Sequence, residues 1–130
     1  MILTKTDFLV KAAYELTGNK AGALFMSGEP AYENIKWDTS IVTGTLPTKT
    51  EVETKAQALL DGEAMVRLRI HRDNLLKETD WVVTKANETG VAETTAWKNY
   101  RQALRDLPST ASPKIDGMFI KNVTWPTKPS

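Results

Sequence analysis

His71 is the one histidine of the chain, set among Arg69, Arg72 and Asp73, and there is no cysteine to accompany it. A structural zinc site needs about four nitrogen or sulfur donors and a catalytic one about three. Carboxylates alone would have to complete a site here, so a solvated or hydrogen-bonded imidazole is the cheaper reading. Nucleophilic chemistry fares no better, because no serine sits in a Gly-x-Ser-x-Gly elbow and a histidine-based triad has no second candidate base. The nearest approach to a phosphate loop, Thr17-Gly18-Asn19-Lys20-Ala21-Gly22, lacks both the spacing and the Gly-Lys-Ser/Thr ending that cradles phosphates. It reads as a helix stop and a turn. Glu15, Glu29, Glu33, Asp38, Glu51 and Glu53 are scattered, and helix-end electrostatics with solubility accounts for them. The expectation is a protein without catalytic residues, metal or cofactor, and hence not an enzyme.

Groups suited to gripping another polypeptide are better represented. Arg67, Arg69, Arg72, Arg101 and Arg105 carry guanidinium forks that match carboxylates and backbone carbonyls at interfaces. Against that stands a solvated helix face with intrahelical pairs such as Arg101 with Asp106. Trp37, Trp81, Trp97 and Trp125 each bring a large area to bury, which makes a tryptophan a core anchor before it is a binding residue. Trp97 is expected in the core. Trp125 sits between Val123 and Pro126 close to the chain end, where little of its own domain is left to cover it, so core and interface roles stay balanced. Asn87-Glu88-Thr89 and Asn122-Val123-Thr124 match the glycosylation acceptor pattern, which arises often by chance and carries no weight here.

The chain has 130 residues, enough for one ordinary domain burying roughly two-thirds of its unfolded surface. Lys plus Arg number 17 against 16 for Asp plus Glu, leaving a net charge of +1 and no field to hold a polyanion or an anionic bilayer. Neither nucleic acid nor membrane is therefore expected as a partner. No apolar run approaches the ~18 residues of a spanning helix, and the N-terminus lacks a basic segment followed by a long apolar one, so the chain is expected to stay in the cytosol where it is made.

These side chains are positioned by a mainly α fold with a few short strands (α+β), ending in an extended, proline-punctuated tail. Residues 4 to 17 form an amphipathic helix capped by Thr6, with Leu9, Ala12, Ala13 and Leu16 on one face and Gly18 as the stop. Ala23-Leu24-Phe25-Met26 and Ile35-Lys36-Trp37 read as short strands. Thr48 with Glu51 three residues later is a capping box, opening a helix whose face carries Val52, Ala56, Leu59 and Leu60, with a bend or register change plausible at Gly62. Val66-Arg67-Leu68-Arg69-Ile70 fits strand alternation and helical spacing alike, and its Ala, Glu, Lys, Arg and Leu neighbours favour helix to about Glu78. Lys85-Ala86-Asn87-Glu88-Thr89-Gly90 has no apolar period and reads as a surface loop. Thr94 caps a last helix with Trp97, Tyr100, Leu104 and Leu107 on one face, ended by Pro108. One short strand is expected around residues 118 to 125. In domain terms, 1–46 is a helix and short-strand segment able to dock a partner, and 47–130 is a helical domain with a C-terminal tail.

Three separated stretches resemble, in order and spacing, the phage tail assembly chaperone family and the C-terminal part of tail-fibre assembly proteins. They are Asn74-Leu75-Leu76-Lys77-Glu78-Thr79-Asp80-Trp81, Trp97-Lys98-Asn99-Tyr100-Arg101-Gln102-Ala103-Leu104-Arg105-Asp106-Leu107-Pro108, and Val123-Thr124-Trp125-Pro126-Thr127-Lys128-Pro129. The resemblance covers residues 67 to 130. Tyr32-Glu33-Asn34-Ile35-Lys36-Trp37-Asp38 with Pro47-Thr48-Lys49 is similar to the front end of other short phage tail accessory proteins. What the resemblance implies is a non-enzymatic protein that binds a tail-fibre or tail polypeptide in the host bacterial cytoplasm while that polypeptide assembles, and that in some relatives stays in the virion. A permanent structural component of tail, baseplate or fibre is the alternative. The partner surface expected on this basis comprises Trp81, Arg101, Arg105, Trp125 and Pro126, with residues 47 to 78 as a helical spacer or as a homo-oligomer contact.

Overall fold

The computed structural model describes residues 3–130, so Met1 and Ile2 of the N-terminal segment lie outside the described range. Its first cap is Thr4, not Thr6. Thr4 has the extended backbone that a cap requires, and its N–H donates to Asp7 Oδ2 at 2.7 Å, whereas Thr6 is already inside the 3₁₀ turn Lys5–Phe8. That turn leads into helix α1 (Leu9–Leu16), which buries Leu9, Ala12 and Ala13. Leu16, expected on the same face, is 42% exposed because it stands in the final turn, beyond the reach of the core. The Thr17 hydroxyl donates to the Ala13 carbonyl at 2.9 Å, and Gly18 follows at φ +87°, where a side chain would be strained.

Strands β1 (Leu24–Met26) and β2 (Ile35–Trp37) pair antiparallel, with Leu24 opposite Trp37 and Met26 opposite Ile35. These strands are the ones expected from the apolar clusters. Helix α2 (Lys49–Glu78) then opens on the expected capping box: the Glu51 N–H donates to the Thr48 hydroxyl at 3.2 Å, and the Thr48 N–H donates to the Glu51 carboxylate at 3.3 Å. The helix passes through Gly62 without a break, and residues 66 to 70 are helical. One glycine costs about 1 kcal/mol, which the strong helix formers on both sides of it outweigh.

The chain divides into two compact units, Met1–Glu63 and Ala64–Ser130. In the first, Leu9, Ala12, Ala13, Ile35, Val52 and Ala56 form one buried cluster, with Phe8, Tyr32, Trp37 and Leu59 packed against it. The alanines let backbones approach closely, and polar ties close the rim. The Tyr32 hydroxyl donates to the Pro47 carbonyl at 2.6 Å, and Lys49 pairs with Glu33 at 2.7 Å.

In the second unit the polar stretch expected as a loop is helical. Helix α3 (Asp80–Thr89) continues through Lys85-Ala86-Asn87-Glu88, because its apolar contacts come from Val82, which is buried, and Ala86 one turn on. Read alone, residues 85 to 90 contain half of that pair. Gly90, at φ +70°, donates its N–H to the Ala86 carbonyl at 3.0 Å and ends the helix. Helix α4 (Thr95–Thr110) starts as expected, with the Thr94 hydroxyl accepting from the Trp97 N–H. It does not stop at Pro108. The proline falls in the last turn, where its missing N–H forfeits a single bond, and the Ala111 N–H still reaches the Leu107 carbonyl at 2.9 Å. Beyond it, β3 (Lys114–Asp116) and β4 (Phe119–Lys121) make a hairpin, so the single strand expected here has a partner. Residues 123–130 carry no helix or strand.

Thr48→Ala removes the hydroxyl half of the α2 capping box and is expected to lower stability by about 1 kcal/mol in urea unfolding. The hydrogen bond from the Lys49 ammonium holds the Glu33 carboxyl below the ordinary glutamate value. Its folded-state pKa is depressed, so its contribution is present at neutral pH and lost as pH falls through that lowered value. Glu33→Gln should accordingly lose a small contribution at neutral pH and leave stability in acid unchanged, so that the acid limb of a stability profile is flatter than the parent's.

Candidate partner-binding surface

The second unit is organised around an arginine. Between α2 and α3 a single residue, Thr79, turns the chain; it is fully buried and its hydroxyl donates to the Leu76 carbonyl at 3.1 Å. Arg101, on the inner face of α4, directs Nη1 to that same carbonyl at 2.9 Å and to the Thr79 hydroxyl at 2.7 Å. Its Nη2 reaches Asp80 Oδ1 at 2.9 Å. The guanidinium fork is thus used on a carbonyl, a hydroxyl and a carboxylate of its own chain. Arg101 is 8% exposed, so it holds the surface together from beneath. Asp106, considered above as its intrahelical partner, accepts instead from Gln102 Nε2 at 2.9 Å. Tyr100 is buried beside it, and burial first, then the Glu78 carboxylate, pushes its phenol above the ordinary value.

Trp81 stands next to this tie and is 53% exposed. Its ring meets Trp97 edge-on at 5.7 Å, and Trp97 in turn meets Tyr100 at 6.1 Å. Trp97 is half-buried instead of enclosed in the core, because Trp81 covers only its edge. Together with Val91, which is 70% exposed, the two tryptophans line a recess of about 230 Å³ floored by Val82 and Ala86. An exposed indole braced by a second indole presents a large apolar surface to solvent.

Trp125 belongs to a different place. It is half-buried, its ring packed edge-on against His71 at 4.5 Å, and Pro126 beside it is half-buried as well. His71 therefore serves as a packing surface for the tail. Among the described residues no group of three or more His, Asp or Glu side chains is placed to hold a metal ion. Trp125 and His71 border a groove of about 450 Å³ with Ile70, Met118, Phe119 and Ile120. Arg67 also lines it, and donates to the Met118 carbonyl at 3.3 Å. Arg105 is exposed on α4, its side chain donating to Gln102 Oε1 at 3.4 Å while its carbonyl accepts from Arg72 Nη1 at 3.5 Å.

Of the five residues singled out from sequence, Trp81 and Arg101 are joined through Asp80, Trp125 and Pro126 share the groove side, and Arg105 stands apart on α4. Ile70, Val91, Met118 and Phe119 went unnoticed, although all are exposed large apolar residues. The available signal was Asp116-Gly117 ahead of Met118-Phe119-Ile120, a hairpin turn presenting an apolar tip. No helix among the described residues is long and apolar enough to cross a membrane.

A family model described as phage tail assembly chaperone protein matches residues 65–130. That range coincides with the second unit to within a residue of its start. No curated protein and no solved structure matches the chain.

The ties at Arg101 predict unequal costs. Arg101→Ala removes charge-assisted bonds worth about 1.5–3 kcal/mol and should lower the denaturation midpoint strongly. Asp80→Ala removes an exposed partner and should cost less than about 1 kcal/mol. Equal losses in the two variants would show that the ion pair, not the Leu76 and Thr79 contacts, carries the tie.

Proposed function

Because the chain belongs to the phage tail assembly chaperone family, and thus has a role in phage tail assembly, we propose that it binds a tail or tail-fibre polypeptide while that polypeptide folds and covers its apolar surface until it is incorporated. Assembly intermediates of fibrous proteins expose strand edges and apolar subunit surfaces that aggregate unless masked. What carries this reading is the distribution of large apolar side chains left in solvent: Val66, Ile70, Trp81, Val91, Met118 and Phe119 all fall within the matched range. A monomer with no partner gains nothing by leaving so many in water.

In this proposal Trp81 is the central contact, braced by Trp97 and held in place by the Arg101 tie. Arg105 supplies a guanidinium at the rim, and Trp125 with Pro126 forms the wall of the groove. Residues 1–46 are proposed to add a second docking element, for which the exposed Phe25 on β1 is the suitable side chain. The action proposed is that of a binding protein, in keeping with the chaperone family to which the chain belongs. Work in the host cell during assembly fits the role.

Trp81→Ala should leave the thermal transition within a few degrees of the parent. It should weaken capture of the co-expressed tail or tail-fibre polypeptide at least about tenfold, as expected of a central aromatic contact. Undiminished capture by the folded variant overturns the assignment of Trp81. Mass spectrometry of purified virions separates the competing reading, because a permanent tail component is present there in fixed stoichiometry and a released chaperone is not.

A further inference from the structure

The hairpin turn holds two residues, Gly117 and Met118, with Asp116 opposite Phe119. Gly117 has φ +62°, and Met118 is not among the residues with positive φ, which is the pattern of a tight primed turn with glycine at its first position. Such a turn makes Asp116 and Phe119 the hydrogen-bonded closing pair. Ile115 and Ile120 are then the non-hydrogen-bonded pair, whose N–H and C=O groups point away from each other toward the outer edges. No third strand lies on either edge among the described residues.

β4 is the strand that borders the 450 Å³ groove, through Phe119 and Ile120. Successive side chains of a strand point to opposite faces. A cavity lined by two consecutive residues therefore runs along the edge of the strand instead of over one face. The opposite wall is helical, built by Ile70 and His71 of α2, with Trp125 at its side. Between them lies a slot whose walls are apolar at Ile70, Met118, Phe119, Ile120 and Trp125 and polar at Arg67, His71 and Asn74, with one rim of backbone donors and acceptors. That combination fits an extended chain, which needs main-chain partners on one side and pockets for alternate side chains on both.

We propose that the groove beside β4 takes an extended apolar segment of the tail polypeptide, which adds to the hairpin as a third strand through the outward N–H and C=O of Ile120. This rests on the function proposed above and specifies how the client is held. A second copy of the chain fits less well. Pairing two β4 strands engages three residues on each, about 10 Å of ladder, and covers far less than the ~1,200 Å² of a stable interface. The same small area suits a client that must be released. A two-stranded hairpin is marginal on its own, and a third strand under a shared apolar cover supplies what it lacks. Ile70, Met118, Phe119, Ile120 and Trp125 make most of the lining, and with Arg67 as its charged group and no carboxylate the groove suits an apolar segment and not a basic one.

The test uses the full chain and the phage's own tail and tail-fibre polypeptides, each co-expressed with it in turn. Ile120→Pro removes the outward N–H without touching a bond of the β3–β4 ladder, whereas Ile120→Ala keeps that N–H and trims the side chain. Expected are protection of the Ile120 amide from hydrogen exchange when a client is bound, a loss of affinity of at least tenfold in Ile120→Pro, and a smaller loss in Ile120→Ala, with unchanged far-UV circular dichroism in both. A client that binds without protecting this amide, and binds both variants as tightly as the parent, overturns the strand-addition proposal and leaves the binding function standing. Protection that appears without client and rises with protein concentration overturns it in favour of a second copy. Failure of the parent chain to bind any tail polypeptide overturns both readings together.

Discussion

Three groups from one short stretch, the Leu76 carbonyl, the Thr79 hydroxyl and the Asp80 carboxylate, converge on the guanidinium of Arg101. The chain has a single residue in which to pass from α2 to α3, and the last carbonyls of α2 need donor partners that the helix itself cannot provide. Arg101 supplies them from α4, and Asp80 at the start of α3 balances its charge. A lysine could not replace it, because a point-like ammonium cannot address three acceptors in a plane. Once this junction is set, Trp81 is directed outward and against Trp97. Leu68, Leu104 and Leu107 meanwhile close the interior of the second unit.

The cost of that solution is visible in Arg101 Nε, a buried nitrogen with no hydrogen-bond partner. Such a group weighs against stability by about 1–3 kcal/mol unless neighbouring bonds offset it. Both Nη positions, by contrast, are satisfied at 2.7–2.9 Å. The surface and the core of this unit are therefore not independent, since the group that anchors α3 also determines where its exposed tryptophan stands.

Exposed apolar residues are tolerated in two forms that differ physically. At the recess, Trp81 and Trp97 meet edge-on at 5.7 Å and shelter part of each other's area. At the groove, Met118 and Phe119 sit on a hairpin tip where nothing covers them, and Phe119 is 76% exposed. The first is a mutually covered pair and the second an uncovered tip.

Local chemistry was sufficient for much of this fold. The Thr48–Glu51 box, the Thr94 cap, the buried spacing of Tyr100, Leu104 and Leu107, and the extended character of residues 24–26 and 35–37 all arise from neighbours within a few positions. Their side chains act at that range whatever the rest of the chain does. The resemblance of three segments, likewise a property of the linear order, pointed to the family that residues 65–130 match. Helix α3 was not legible, because its second half brings little but Ala86 to the interior and its anchor is an arginine about twenty positions away. Nor was the inward turn of Arg101, which needs α3 in place before there is anything to bind. Capping and the short apolar clusters belong to the sequence by itself. Which tryptophan stays in water, and which arginine is withdrawn from it, was decided only when distant segments met, since burial and hydrogen-bond satisfaction are properties of the packed whole.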